Sequence, residues 1–317
     1  MITVVAGGVG AARFLSGLLS VVPARDVTAI VNTGDDVVLH GLHISPDLDT
    51  ITYTLAKAIN AELGWGLAGE TWSAMDALSR YSPSAPRHST AGGTWFRLGD
   101  RDLATHLYRT HRLREGASLS LVTEEIARAW GLDIRLMPMS DDPVETRVTV
   151  DEGEIGFQEY FVGRQHSVAV SAVRLAGIEQ ARPAPGVIES LAGAELVIIC
   201  PSNPIVSIGP VRAVAGIEAA LASRRESAIA ISPIIAGAAV KGPADRLMAE
   251  LGHEPSVVGV ARLYAPVAKT LVIDEADQDL AGSVEAEGVR CIVTPTLMHG
   301  PPEAAALARA VLAAARS

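Results

Sequence analysis

The sequence predicts an α/β fold: a Rossmann-like, mainly parallel sheet with helices on both faces and a largely helical insertion. Three observations carry this. The chain opens with an apolar run, Ile2–Ala6, then glycines, a helical pattern and a second apolar run, Val27–Val31. Strand, tight turn, helix and strand in that order make a βαβ unit. Short apolar runs return late, at 194–200, 228–232, 256–260, 270–273 and 290–293. Runs that are continuous rather than alternating mark strands buried on both faces, as in a parallel sheet. Between the two sets the hydrophobic period is helical.

Taken in order, Phe14, Leu15, Leu18 and Leu19 share one face of the first helix. Segments 50–61, 71–81, 102–114 and 123–130 have helical spacing, and 82–94, rich in Pro, Ser and Gly, reads as a loop. Residues 146–150 and 156–162 are expected to pair as antiparallel strands around 151–153. The Ala-rich segment 302–316 reads as a final helix. The expected division is a nucleotide-binding core, 1–61 and 151–317, and a largely helical insertion, 62–150, forming part of an acceptor site.

Composition narrows the function. With 49% hydrophobic and 20% charged residues the chain is globular, and with only 4% aromatics its core must be Ala, Val, Ile and Leu. A net charge of −10 without a basic run argues against broad binding to nucleic acid or an anionic membrane surface. Any phosphate must be held locally. Two cysteines, Cys200 and Cys291, make no disulfide framework and sit in apolar runs, as buried thiols do. The start, MITVVAGGVGAARFL, lacks the basic region of a signal peptide. Segment 227–240 is cut by Pro233 and Gly237 and is too short to span a bilayer. A cytoplasmic protein is expected.

The chemistry-bearing segments fall at strand ends. Gly7, Gly8 and Gly10 follow the first strand, where glycines let backbone approach a ligand and a helix N-terminus offers N–H groups to phosphate. A tight turn without a ligand is the competing explanation. Arg13 stands where a dinucleotide fingerprint wants its third glycine, and no P-loop, zinc-protease or hydrolase-elbow motif occurs. The densest signal is 32–50, NTGDDVVLHGLHISPDLDT, with Asp35, Asp36, Asp47 and Asp49. Clustered carboxylates repel unless a cation or substrate hydroxyl organises them, and oxygen donors suit Mg²⁺. Alternatively Asp49 caps the helix that follows. His40 and His43 read as solvated. Arg101 and Arg109 flank a turn and helix where they can recognise an anion or flat ring, or form an internal Asp–Arg pair. Ser202, Asn203 and Ser207 follow a buried strand, and Lys241 sits in a glycine-flanked loop.

In order along the chain, GGVGAARFL, NTGDD, SPDLDT, LGDRDLATH, PMSDDPVET, QEYFV, PSNPIVSIGP and SPIIAGAAVKGP resemble the 2-phospho-L-lactate transferase (CofD) family of coenzyme F-420 biosynthesis. The resemblance implies transfer of a phospholactyl, or in many bacteria a phosphoenolpyruvyl, group from a guanosine-diphosphate-linked donor. The acceptor is the ribityl hydroxyl of 7,8-didemethyl-8-hydroxy-5-deazariboflavin, and GMP leaves. Mg²⁺ is the implied cofactor and a homodimer the implied assembly. By motif match, Asp49 and Arg101 contact the deazaflavin, Asp35 and Asp36 hold the metal, and Asp35 and Asp49 are the catalytic carboxylates. Gly7, Gly8, Gly10, Ser202 and Asn203 hold the guanosine diphosphate part. The runner-up is a YvcK-like nucleotide-sugar-binding regulatory protein of the same fold. A nicotinamide oxidoreductase is weakened by the missing third glycine and by Asn32, where a ribose-binding acid is expected.

Overall fold

Seven parallel strands form the centre of the molecule: β1 (Ile2–Ala6), β2 (Val27–Val31), β3 (Arg135–Pro138), β4 (Leu196–Ile199), β5 (Ala228–Ile231), β6 (Thr270–Ile273) and β7 (Arg290–Val293). The computed structural model describes residues 1–316 except 87, 88, 90 and 92. The spatial order is β3-β2-β1-β4-β5-β6-β7. Ile2 pairs with Val27 on one side and Leu196 on the other. Strand order therefore reverses between β1 and β4, and the crevice beyond their carboxyl ends is where open α/β sheets bind ligands.

Both faces of the sheet are covered, which is why its strands read as unbroken apolar runs. Val5, Ile30, Val197 and Leu271 point into one buried cluster, while Val4, Ala29, Ile198 and Val272 point into the other. The second cluster includes Phe14, Leu15 and Leu18 of α1 (Gly8–Leu19). The last helix, Pro301–Ala314, packs on α1 of its own chain through Ala304, Leu307, Ala308 and Val311. The approach is close: a Cβ on Gly17 would stand 2.3 Å from the Ala304 carbonyl carbon.

The connection from β2 runs through a small antiparallel pair, Val37–Leu39 with Leu42–Ile44, into α2 (Pro46–Leu55). Pro46 starts this helix because its fixed φ suits the first turn and its missing N–H is not needed there. Then come Ser73–Ser79, α3 (Asp102–Arg114) and α4 (Leu119–Ala129). The segment 82–94 begins with a short 3-10 turn, Ser82–Ser84, and lies partly outside the described residues.

Three expectations need correction. The segment 62–150 is not wholly a helical insertion, because β3 within it is the edge strand beside β2. The run 256–260 is not a strand but the start of α5 (Val257–Tyr264), capped by Ser256 Oγ, which accepts from the N–H groups of Val258 and Gly259 at 3.2 Å each. A short apolar run cannot distinguish a buried helix from a buried strand, and here the cap decides. The hairpin's second strand is Gly153–Gly156 rather than 156–162, because Glu159–Gly163 turns into a helix. A third strand, Ala172–Ala176, completes that sheet by pairing with Glu145–Val150. Of the thiols, Cys200 is buried and Cys291 half-buried.

Candidate active site

The carboxyl ends of β1, β2 and β4 open into a cavity of about 360 Å³. Its floor begins with glycines. Gly7 is the extended residue before α1, and Gly8 has φ +71°. A Cβ on Gly10 would meet the Pro201 carbonyl oxygen at 2.2 Å, and one on Gly7 would meet Ser207 Cβ at 2.8 Å. Only glycine lets the turn after β1 lie against the turn after β4. Ser202 Oγ ties them by donating to the Gly7 carbonyl at 2.7 Å. Asn203 Oδ1 accepts from the Ile205 N–H at 2.9 Å, stiffening the second turn.

Beside the glycines lie buried carboxylates. Asn32, at the end of β2, donates through Nδ2 to Asp35 Oδ1 at 2.7 Å and to Asp47 Oδ2 at 3.0 Å. Its own oxygen accepts from the Gly34 N–H at 2.8 Å, which fixes the amide's orientation. Gln158 Nε2 adds a donor to Asp35 Oδ2 at 3.2 Å. Burial, then the charges of Asp47 and Asp36, push the Asp35 carboxyl well above the usual range. Burial raises Asp47 to about 6. Among the described residues no cationic side chain pairs with these two carboxylates, which share one neutral amide, and their all-oxygen donor set fits a hard divalent cation.

α2, which also carries Asp47, and α3 build a polar wall. Asp49 lies in the first turn of α2 and Tyr53 one turn further on. Asp102, His106 and Arg109 follow one another along one face of α3. Arg109 is 2% exposed and forks Asp49, with Nη1 donating to Oδ2 at 3.1 Å and Nη2 to Oδ1. Tyr53 donates to Asp102 Oδ1 at 2.5 Å. Asp49, Asp102 and His106 together form a possible metal-binding triad. Above the wall, Phe157 and Phe161 stack at 5.6 Å, and Phe96 and Trp65 add apolar lining. Across the cleft, Arg13 and Lys241 line the cavity and have no carboxylate partner among the described residues.

The cavity brings together Gly7, Gly8, Gly10, Asp35, Asp49, Ser202 and Asn203. It does not include Asp36 or Arg101. Asp36 accepts at Oδ2 from the Ser45 hydroxyl at 2.6 Å and lines a smaller neighbouring hollow. Asp47 stands beside Asp35 where Asp36 was expected. Arg101 is exposed and donates from Nη1 to the Ala68 carbonyl at 2.6 Å, while Arg97 lines the cavity instead. Sequence reasoning also passed over Tyr53, Asp102, His106 and Gln158. Helical spacing was the available signal: Asp49 with Tyr53, and Asp102 with His106 and Arg109, fall one turn apart on helices that meet.

The family model described as 2-phospho-L-lactate transferase CofD matches residues 2–295. Similar proteins named phosphoenolpyruvate transferase occur in Streptomyces griseus, 45% identical over 98% of this chain and 97% of that one. Another, from Mycolicibacterium smegmatis, is 40% identical over 98% and 97%. Among solved structures, a UPF0052-family protein from Bacillus halodurans superposes with a TM-score of 0.60 at 15% identity, covering 98% of each chain. That last likeness is one of fold.

Proposed function

The chain belongs to the 2-phospho-L-lactate transferase (CofD) family, and on that premise we propose that it is a Mg²⁺-dependent phosphoenolpyruvyl or phospholactyl transferase of coenzyme F-420 biosynthesis. The donor is the guanosine-diphosphate-linked phospho-acid and the acceptor the ribityl hydroxyl of the deazaflavin, with GMP released. One observation carries the proposal. A single cleft at the β1/β4 reversal joins a glycine turn, a pair of uncompensated carboxylates and a polar wall beneath stacked aromatics.

Displacement at phosphorus needs positioning and charge neutralisation more than covalent help. The N–H groups at the start of α1, with the close-packed glycines, receive the diphosphate beside Asp47, whose carboxylate already accepts from the Gly8 N–H. Arg13 and Lys241 face the same space and add positive charge. Asp35 and Asp47 would hold Mg²⁺, whose role there is to neutralise and align phosphate oxygens. Asn32 and Gln158 keep both carboxylates aimed. Asp49, fixed by Arg109, offers a rigid acceptor to the attacking hydroxyl, and the wall of Tyr53 and Asp102 lines the polyol's path. Phe157 and Phe161 supply a flat apolar face for a ring system.

The test is mass spectrometry of the product formed from the deazaflavin and each guanosine-diphosphate-linked phospho-acid. The expected product has the acceptor's mass plus one phospho-acid unit, with GMP in equal amount. Absence of any such product with all donors, from folded protein that binds GDP, would sink the assignment and favour the nucleotide-sugar-binding alternative.

A further inference from the structure

The wall between α2 and α3 holds an arrangement that the reaction above does not explain. Asp49, Asp102 and His106 each offer one ligand atom, and these lie within 4.8 Å of one another. Two carboxylates and an imidazole at that spacing are a donor set that divalent transition metals take. Asp49 and His106 are 5% and 1% exposed. His106 Nε2 is buried and lies 3.2 Å from Asp102 Oδ2, bent away from hydrogen-bond geometry.

A cation is already there. Arg109 Nη1 lies 3.1 Å from Asp49 Oδ2, 3.4 Å from His106 Nδ1 and 3.3 Å from the His43 carbonyl oxygen, while Nη2 donates to Asp49 Oδ1. A guanidinium has donors only and keeps its proton. His106 Nδ1 can accept from Arg109 only through its lone pair, so in that arrangement His106 and Asp49 both turn acceptor atoms toward Arg109. Asp102 sits behind them, its other oxygen receiving the Tyr53 hydroxyl.

We propose that Arg109 is the resident cation of the cage that Asp49 and His106 form in front of Asp102, and that it keeps this cage closed to metal ions. A covalently tethered cation does not dissociate, so the charge of this wall is independent of the free metal concentration. The inference goes beyond the transferase activity and does not rest on it, because it concerns only which carboxylates can take a metal. Asp35 and Asp47, which have an amide between them in place of a cation, remain the pair that can.

Co²⁺ is the probe, since its visible absorption strengthens when nitrogen enters the coordination sphere and the coordination number falls. Wild-type protein titrated with cobalt chloride is expected to give weak absorption that His106→Ala leaves unchanged. Arg109→Ala is expected to bind one further equivalent per chain with absorption several-fold stronger, lost again in Arg109→Ala combined with His106→Ala. Arg109→Lys, which keeps a cation on the wall, is expected to bind no more Co²⁺ than wild type. Circular dichroism reports whether each variant is folded. Absorption in the wild-type protein that depends on His106 would overturn the proposal, because the cage would then be a metal site in its native state. So would a folded Arg109→Ala that binds no additional Co²⁺, or an Arg109→Lys that does. Should Arg109→Ala fail to fold, the wild-type and Arg109→Lys titrations decide the matter.

Discussion

Asp47 carries its charge at a cost to the fold. Its carboxyl titrates near 6 because burial disfavours the ionised form, whereas an unfolded Asp titrates near 3.9. The folded state holds the proton more tightly, so the penalty is absent below about pH 4 and complete above about pH 6. Asp47→Asn removes it. The variant is expected to melt higher than wild type at pH 8 without metal, to match it at pH 4, and to lose turnover; equal melting temperatures at pH 8 would show that the charge costs nothing. Mg²⁺ competes with the same protons, so its stabilising effect is expected to be larger at pH 8 than at pH 5, read as a shift in melting temperature. A second residue-scale question is which arginine meets the acceptor. Arg97 lines the cavity while Arg101 is turned to Ala68. Loss of a hydrogen bond from a charged group costs about 1.5–3 kcal/mol, roughly ten- to a hundredfold in affinity. Titration of deazaflavin fluorescence is expected to show such weakening in Arg97→Ala and Asp49→Ala, and near-normal affinity in Arg101→Ala. The reverse order for the two arginines would return Arg101 to the acceptor site.

Helices and turns here meet backbone to backbone, and glycines decide whether they can. Gly17 lies against Ala304, with no room for a methyl group between α1 and the last helix. In an isolated helix Ala is favoured over Gly by about 1 kcal/mol. At this crossing, overpacking costs about 1–3 kcal/mol and wins. Gly17→Ala is expected to lower the melting temperature, while Gly282→Ala, where an added Cβ meets nothing within 4 Å, leaves it near that of wild type or above. Equal melting temperatures for the two would mean that the helix pair can separate freely. Gly10 is the comparable position in the cleft, yet its effect belongs to binding. Gly10→Ala pushes the turn after β1 away from Pro201 and is expected to weaken GDP affinity by calorimetry more than it lowers stability.

At the scale of the whole molecule, the two ends of the chain are packed together and the final helix is spent on its own core. It buries Leu307, Ala308 and Val311 against α1. A homodimer, expected from the family, therefore cannot use the stripe that faces α1. Light scattering at micromolar concentration is expected to give twice the chain mass of 33.0 kDa. A single-chain mass would remove the dimer from the account.

What could be read from the sequence was whatever repeats locally. β1, β2, β6, β7 and α3 fall at the predicted residues, because a strand buried on both faces and a helix with one buried stripe each impose a period on their own segment. The glycines of the first turn and the aspartates after the second strand were legible for the same reason: they cluster within a few residues. Partnership was not. Asp36 and Asp47 are equivalent as residue types in one short stretch of sequence, and Arg101 and Arg109 lie on another. What separates them is that Asn32 reaches Asp47, that Ser45 takes Asp36, and that α3 crosses α2 with Arg109 inward. A run such as 256–260 is equally ambiguous until its ends are capped. Hydrophobic periodicity is a property of one element, whereas the charge state and direction of a buried side chain depend on what other elements bring within about 4 Å of it. Only the tertiary structure decided that.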